Sequence, residues 1–286
     1  MVFKSYYRLA KPGIVYGNVI TAIAGFALAS RQHFDYGLFV STVFGIALVI
    51  ASACVVNNYI DRGIDAKMSR TSKRDLVTGQ ISPAAALAYA LGLGLAGFVL
   101  LLLSNWLALS VALLAGLLYV VAYGWAKRHS IHSTVIGSLP GAAPPVIGYT
   151  AVTGHLDGAA IILFLALVFW QMPHFYAIAI YRYKDYKAAG LPVLPVKKGF
   201  LATKVQIILY QVLFMVAVIA LYAYGYAGRV YVIVSGLAAA FWLATGVKGL
   251  SAPNEAKWAR KVFFYSLAVN LIFALMVTLN NLLVKL

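Results

Sequence analysis

The sequence predicts an all-α integral membrane protein, and three observations lead to that fold class. First, 63% of the 286 residues are hydrophobic and 10% are charged, whereas soluble domains are about half apolar and a quarter charged. Second, apolar runs of about 20 residues, the length that crosses roughly 30 Å of hydrocarbon, recur along the chain. Third, the basic residues are concentrated in alternate connections between these runs.

Nine apolar runs are long enough to be membrane-spanning helices. They cover about residues 13–30, 38–57, 84–103, 107–125, 136–153, 159–181, 205–225, 230–248 and 262–283. The longest connections between them, about 61–83 and 183–204, are too short for a soluble domain. We therefore predict one polytopic membrane domain over residues 1–286.

The distribution of basic residues predicts the orientation. If the N-terminus is cytoplasmic, 20 of the 23 Lys and Arg residues lie in inside segments, and only Arg31, Arg229 and Lys285 lie outside. Short cytoplasmic connections are typically enriched in Lys and Arg. The net charge of +16 is thus mostly an orientation signal, and no nucleic acid partner is expected.

The chain also contains a weak internal repeat. Pro12-Gly13 opens the first span and Asp61 ends the second, while Pro140-Gly141 lies in the fifth and Asp185 follows the sixth, at separations of 49 and 45 residues. We predict that helices 1–4 (about 13–125) and helices 5–8 (about 136–248) are four-helix repeats, with helix 9 (about 262–283) added. The second and sixth spans would then end at the same membrane face.

The fifth predicted span, GSLPGAAPPVIGY (Gly137–Tyr149), contains three prolines. Proline removes a backbone donor and kinks a helix, and membranes tolerate this where the freed carbonyls face protein or a water-lined cavity. The segment is therefore either a packing kink built from small residues or the wall of a cavity. The two interpretations are compatible.

Two of the seven acidic residues follow the second span in NNYIDRGIDAK (Asn57–Lys67). On an α-helix, Asn57, Asp61 and Asp65 lie along one face over about 12 Å. Adjacent carboxylates repel each other and are costly near a bilayer, so we expect a cation between them. Mg²⁺ suits such oxygen ligands, because it joins one or two carboxylates to substrate phosphates.

Basic residues surround this acidic pair, which is typical of a diphosphate site. We predict that the diphosphate is bound by Asn57, Tyr181 and a basic set. The basic set is Arg62, Lys67, Arg70, Arg74 and Lys127. Alternatively, these basic residues are a solvated loop that obeys the positive-inside rule, although that would not explain two carboxylates in register with Asn57.

A second candidate segment follows the sixth span. Tyr181 and Asp185 are spaced i and i+4, with Lys184 beside them. If both segments face one cavity, Asp185 supplies a third carboxylate for metal and Lys184 contacts phosphate. Gly190 and Pro192 then punctuate a connection that would act as a lid.

Deeper in the sixth span, WQMPHFYAIAIY (Trp170–Tyr181) contains His174. It is either a buried histidine with a satisfied hydrogen bond, or a metal ligand or proton donor. Trp170, Tyr149 and Phe175 are candidates for lining a prenyl or haem cavity, and His132 for reaching a polar edge of the substrate.

Four segments together resemble the UbiA superfamily of intramembrane prenyltransferases, and specifically its haem-modifying branch. They are NxxxDxxxD from Asn57, SRTSKR (Ser69–Arg74), IGSLPGAAPPVIGY, and WQMPHFYAIAIYRYKDYKAAGLPVLPV from Trp170. The resemblance extends over essentially the whole chain. It implies nine helices around a central cavity in the bacterial inner membrane, with the C-terminus in the periplasm.

The resemblance also implies the chemistry. The farnesyl group of farnesyl diphosphate would be transferred to a vinyl group of haem B, with addition of water, to give haem O and diphosphate in the presence of Mg²⁺. Asn57, Asp61 and Asp65 match the first aspartate-rich motif and Asp185 the second. Where many members have another Asp, this chain has Tyr181, as the haem-modifying branch does.

In that case the expected catalytic residues are Asp61, Asp65, Asp185, Lys184 and His174, and the expected metal ligands are Asp61, Asp65 and Asp185, with Asn57 as a further ligand. Besides farnesyl diphosphate, haem B and the lipid bilayer, haem A synthase or terminal oxidase assembly proteins would be partners.

Two alternative functions have the same general features. An aromatic-ring prenyltransferase of the same superfamily, which makes a quinone precursor, would share the metal and diphosphate motifs. A transporter without enzymatic activity would also combine a repeat, a broken helix and intramembrane acids. However, the acids here lie at the end of a span rather than near the membrane midplane.

Overall fold

The computed structural model describes residues 2–31 and 33–283, and in this part every regular element is helical. Lys285, which was predicted to lie outside the membrane, falls beyond the described residues. The α-helices are α1 (Val2–Leu9), α2 (Pro12–Ala29), α3 (Tyr36–Asp65), α4 (Pro83–Leu102), α5 (Trp106–Leu117), α6 (Gly124–His129), α7 (Ser133–Gly141), α8 (Ala143–Thr153), α9 (Gly158–Tyr181), α10 (Tyr183–Ala188), α11 (Leu194–Ala223), α12 (Arg229–Val247) and α13 (Glu255–Leu283).

The described residues contain nine segments long and apolar enough to cross a membrane, one for each predicted span. The fourth consists of α5, a π-helical turn (Leu118–Tyr123) and α6, and the fifth consists of α7 and α8. Leu91, Leu95 and Val99, spaced one turn apart on α4, are 63%, 58% and 60% exposed. An outward stripe of this kind faces hydrocarbon, and the prediction of a polytopic all-α membrane protein is confirmed.

The first and fifth spans pack closely because glycine occupies both sides of their contact. A Cβ atom at Gly25 of α2 would overlap the carbonyl oxygen of Pro145 in α8, and one at Gly148 would overlap the carbonyl oxygen of Ala22. Small residues allow helix backbones to approach in this way. The contact fixes α2 against α8 at backbone distance.

The fifth span is kinked, as its prolines predict. α7 ends at Gly141 and α8 begins at Ala143, with Pro144 and Pro145 in its first turn. Gln171 of α9 donates from Nε2 to the carbonyl oxygen of Ser138 at 3.2 Å. The same carbonyl oxygen also accepts from Ala142 N at 3.0 Å, so this backbone group is satisfied within the protein, as required at membrane depth.

The remaining spans close the bundle around this contact. α3 packs against α4 and α9 packs against α11, so the second and third members of each proposed repeat form matching pairs. α13 contacts α9, α12 and α2, and thereby joins the end of the chain to its beginning. The four-helix repeat itself remains a prediction.

The sixth span ends at Tyr181, as predicted, because Arg182 leaves the helical conformation (φ −105°, ψ 21°) and α10 begins at Tyr183. The i and i+4 spacing of Tyr181 and Asp185 therefore does not put them on one helix. Other boundaries differ from the prediction. The seventh span begins at Leu194 rather than near residue 205, with a break at Gly199 (φ 80°).

The α2/α8 contact generates a stability prediction. We expect Gly25→Ala to lower the unfolding free energy by about 1–3 kcal/mol or more, the usual cost of overpacking, since its Cβ would meet backbone that has to shift. Thermal unfolding in detergent measures the effect. Gly17→Ala, on the same helix with nothing within 4 Å of the added atom, is the matched control. Equal melting temperatures for the two variants would contradict the proposed contact.

Candidate active site

The predicted oxygen ligands lie on one uninterrupted helix. α3 continues two turns beyond the apolar part of its span to Asp65, so Asn57, Asp61 and Asp65 share a face as predicted. Their side chains are buried, with residue exposures of 4%, 1% and 4%. The hydroxyl of Thr71 donates to the carbonyl oxygen of Asp65 at 2.9 Å and stabilises the end of the helix.

Each buried carboxylate has its own basic partner from another segment. Lys127 Nζ of α6 lies 2.5 Å from Asp61 Oδ2, and Arg74 Nη1 lies 2.5 Å from Asp65 Oδ2. The same Arg74 nitrogen donates to Asn58 Oδ1 at 3.0 Å. The repulsion between neighbouring carboxylates is thus offset by two cations that approach from different directions.

A π-helical turn positions Lys127. The turn, Leu118–Tyr123, joins α5 to α6, and its wider winding changes the direction in which the following residues point. Tyr119 and Tyr123 stack within it, with ring centroids 5.5 Å apart. Lys127 follows Tyr123 by four residues and reaches Asp61.

Two buried polar atoms on the α3 face have no hydrogen-bond partner among the described residues: Asp61 Oδ1 and Asn57 Nδ2. Arg128 Nη2 is 4.0 Å from Asp61 Oδ1, too far for a hydrogen bond. A buried carboxylate oxygen without a donor is costly. This oxygen is therefore available to a cation, and the amide N–H of Asn57 to an oxyanion.

The second candidate segment meets the first at the same end of the bundle. Ser69, in the connection after α3, donates from Oγ to Asp185 Oδ1 of α10 at 2.8 Å. Ile64 of α3 packs in a small apolar cluster with Leu191 and Val193, which follow α10. The two segments therefore meet at one end of the bundle, and a shared site remains a prediction.

Other predicted residues of the second segment lie further apart. Tyr181, the last residue of α9, packs its ring 5.7 Å from that of Phe263 in α13. Lys184 is exposed, and Arg182 Nη1 lies 3.9 Å from Asp185 Oδ2. No three acidic, histidine or cysteine side chains within the described part of the chain lie close enough to hold a metal ion by themselves.

The donor set still fits Mg²⁺ bound together with substrate. Mg²⁺ commonly uses one or two carboxylates, substrate phosphate oxygens and water. Asp61 and Asp65 supply the carboxylates, and Asp61 Oδ1 is an oxygen without a donor. An all-protein cage of three carboxylates is not required.

His174 lies between α9 and α13. Its Nδ1 is 2.7 Å from Ser266 Oγ, and its ring lies 5.0 Å from that of Trp170 and 4.8 Å from that of Phe263. Trp170 Nε1 donates to the carbonyl oxygen of Ser266 at 2.7 Å. His174 and Trp170 therefore form one cluster with Ser266, a residue that the sequence did not single out.

The other predicted residues are distributed around the bundle. The guanidinium of Arg62 stacks on Tyr59 at 4.5 Å, and Lys67, Arg70 and His132 are exposed. Phe175 is 41% exposed at the surface of the bundle. The hydroxyl of Tyr149 donates to Asp157, the residue that caps α9 at the opposite end from Asp185.

Lys11 contacts the α3 face, which the sequence analysis did not predict. Its Nζ donates to Asn57 Oδ1 at 3.0 Å, although it precedes the first span and had been counted only as an inside charge. The pKa of Lys11 is lowered to about 8, mainly by desolvation of this partly buried ammonium group; Cys54 and Asp61 oppose the shift, and Arg74 and Lys127 contribute to it. Only its position next to a proline at the start of a helix distinguishes Lys11 in the sequence.

Known proteins resemble this chain over most of its length. The model of the UbiA prenyltransferase family matches residues 18–268. A protoheme IX farnesyltransferase of Klebsiella pneumoniae is 50% identical over 281 residues, 98% of this chain and 95% of that protein. The protein of the same description from Sodalis glossinidius is 51% identical over 280 residues, 96% of this chain and 94% of that protein.

Solved structures share the fold at lower identity. A structure of digeranylgeranylglyceryl phosphate synthase is 22% identical, with a TM-score of 0.81 and 99% of both chains covered. A UbiA homolog from Archaeoglobus fulgidus bound to GPP and Mg²⁺ is 19% identical, with a TM-score of 0.70 over 96% of this chain and 99% of that chain. Because the family model covers most of the chain and relatives about half identical span nearly its full length, the chain belongs to the UbiA prenyltransferase family.

Proposed function

We propose that the protein transfers the farnesyl group of farnesyl diphosphate to a vinyl group of haem B and releases diphosphate. The observation that carries the proposal is the buried α3 face, where Asp61 Oδ1 and Asn57 Nδ2 lack partners beside Lys127 and Arg74. That arrangement suits an anion bound through a cation. The choice of haem as acceptor rests on relatives that are about 50% identical and are described as protoheme IX farnesyltransferases.

The chemistry follows from where charge develops. When the C–O bond of farnesyl diphosphate breaks, both electrons leave with diphosphate and an allylic cation remains. Lys127, Arg74 and the N–H of Asn57 would stabilise the departing oxyanion. Mg²⁺ held by Asp61 and Asp65, with Asp185 across the site, would supply further electrostatic stabilisation of the same charge. Lys184, which is exposed on α10, remains a predicted phosphate contact.

The second half of the reaction concerns the acceptor. A vinyl carbon attacks the allylic carbon, a new cation forms next to the porphyrin ring, and water adds there with loss of a proton to leave a hydroxyl group. Water must therefore be excluded from the first cation and admitted to the second. The His174, Trp170 and Ser266 cluster is our candidate for contact with the acceptor.

The proposed setting is the bacterial inner membrane, with the N-terminus cytoplasmic and the C-terminus periplasmic. The charge distribution of the connections supports this orientation. The acidic helix ends would then meet farnesyl diphosphate on the cytoplasmic side. Association with haem A synthase or with terminal oxidase assembly is a further expectation from the family resemblance.

Product formation tests the function directly. We expect purified protein supplied with haem B, farnesyl diphosphate and Mg²⁺ to form haem O, detected by its mass, because both halves of the reaction need only these substrates and water. Omission of Mg²⁺ is the control. Absence of product when both substrates are demonstrably bound would refute the assignment.

Substitution of Asp61 tests the proposed metal and diphosphate site most directly. We expect Asp61→Asn to reduce kcat at least about a hundredfold, the scale on which single electrostatic groups contribute, because it removes a carboxylate while keeping the shape of the side chain. Asp35→Asn is the matched control on the same helix: Asp35 caps the start of α3 through Leu38 N at 2.9 Å, and Asn caps equally well. Near-normal turnover by Asp61→Asn in folded protein would exclude the proposed role.

Orientation is tested by labelling single cysteines. In a Cys54→Ser background, we expect Lys198→Cys to react with a membrane-impermeant maleimide only after the cells are permeabilised, and Arg229→Cys to react in intact cells. Both positions are exposed and were predicted to lie on opposite sides of the membrane. The reverse labelling pattern would invert the topology.

A further inference from the structure

A cavity of about 240 Å³ opens beside the α3 face. Its walls come from the end of α1, the start of α2, the connection after α3, and Asn58. The lining residues are Arg8, Leu9, Lys11, Asn58, Arg70, Lys73, Arg74 and Asp75. Neither Asp61 nor Lys127 is among them, so the cavity is adjacent to the Asp61 and Lys127 pair but separate from it.

Positive charge is in excess in this cavity. Five lining side chains are basic and one is acidic. Arg8 is paired with Asp75 at 2.8 Å, and Arg74 is paired with Asp65. Within residues 2–31 and 33–283, no carboxylate oxygen lies within 4.0 Å of the nitrogens of the other three basic side chains, which are Lys11, Arg70 and Lys73. Like charges that converge on a concave surface concentrate positive potential there.

The basic wall is held in place by specific contacts. Asn58 Nδ2 donates to the carbonyl oxygen of Leu9 at 2.9 Å, and Ser5 Oγ donates to Asp75 Oδ1 at 3.2 Å. Lys11 is the one non-glycine residue with positive φ in the described part of the chain, at 53°. A conformation of this kind persists only where the surroundings enforce it. The shape of the cavity is therefore fixed by contacts within the fold.

We propose that this cavity binds the carboxylate groups of the acceptor, which for haem B are its two propionates. The inference rests on the proposed function and adds to it the site that recognises the acceptor. A volume of about 240 Å³ is below the roughly 300–1,000 Å³ of pockets that enclose a drug-sized ligand. The cavity thus fits the acidic end of a larger molecule.

The number of basic side chains distinguishes this site from the site proposed for the diphosphate. In the proposed reaction the leaving diphosphate already has Lys127, Arg74, the amide N–H of Asn57 and the expected Mg²⁺. Lys11, Arg70 and Lys73 are cations beyond that set, and the acceptor is the other anion in the reaction. Arg70, expected from the sequence to bind diphosphate, is reassigned here to the acceptor.

The location of the cavity also suits the reaction. In protohaem the propionates lie on two adjacent pyrrole rings and the vinyl groups on the other two. Holding the propionates beside Lys11 and Arg70 leaves the vinyl edge free to approach the allylic carbon. The cavity would thereby determine which edge of the porphyrin is presented to the prenyl group.

The test compares haem B with its dimethyl ester, which lacks the two negative charges. Dissociation constants are measured by absorbance titration of each porphyrin into protein in phosphatidylcholine nanodiscs, which carry no net anionic lipid. We expect the parent protein to bind haem B about tenfold or more tightly than the ester, the scale of a charge-assisted contact. In Arg70→Gln/Lys73→Gln that preference should disappear, through weaker binding of haem B alone.

The control variants remove positive charge from exposed lysines outside the cavity. Neither Arg70 nor Lys73 makes a hydrogen bond or ion pair with another described side chain, so the double variant should fold, and Lys73→Gln alone gives a milder version. Lys197→Gln/Lys198→Gln removes the same charge at exposed positions of α11 and should keep the preference for haem B.

Three results would overturn the proposal. They are an unchanged preference in Arg70→Gln/Lys73→Gln, equal loss of affinity for both porphyrins, and loss of affinity for farnesyl diphosphate with haem binding intact. The last would assign the cavity to the diphosphate. Product formation by the parent protein is scored separately: if haem O forms while the acid and ester bind equally well, the cavity proposal fails and the function stands.

Discussion

The site depends on neutralising two carboxylates buried at the end of a membrane helix. Asp61 and Asp65 are almost fully buried, and removing one partner of such a pair typically costs about 3–5 kcal/mol. The partners come from different distances along the chain: Lys127 is 66 residues from Asp61, and Arg74 is 9 residues from Asp65. Satisfying these charges therefore holds α3, the connection after it and α6 together. The same carboxylates are the groups proposed to bind the metal, so stability and chemistry involve the same atoms.

The apolar scaffold sets the positions from which these partners approach. Glycine contacts hold α2 against α8 at backbone distance, and Lys11, one residue before α2, donates to Asn57 of α3. The π-helical turn places Lys127 in a comparable way. The tightly packed helices thus fix the positions of the polar side chains at their ends. A pre-organised electrostatic site requires rigid support of this kind.

The fold alone does not identify the acceptor. Structures 18–22% identical to this chain share the architecture, and one fold commonly supports several substrates. The role proposed for the α3 carboxylates is in diphosphate departure, which every prenyl transfer requires. Discrimination between acceptors must come from other parts of the bundle, of which the basic cavity next to α1 and the His174 cluster are the candidates.

The sequence by itself determined the nine spans, the kink at the fifth span and the α3 carboxylates, because hydropathy, proline and helical spacing are local properties. It did not determine the break at Arg182, the hydrogen bond between Ser69 and Asp185, or the pairing of Lys11 with Asn57. Those depend on which chain segments meet at the end of the bundle. Several basic residues in one connection look equivalent in sequence, yet packing brings Arg74 to Asp65 and leaves Arg70 and Lys73 without an ion-pair partner among the described residues.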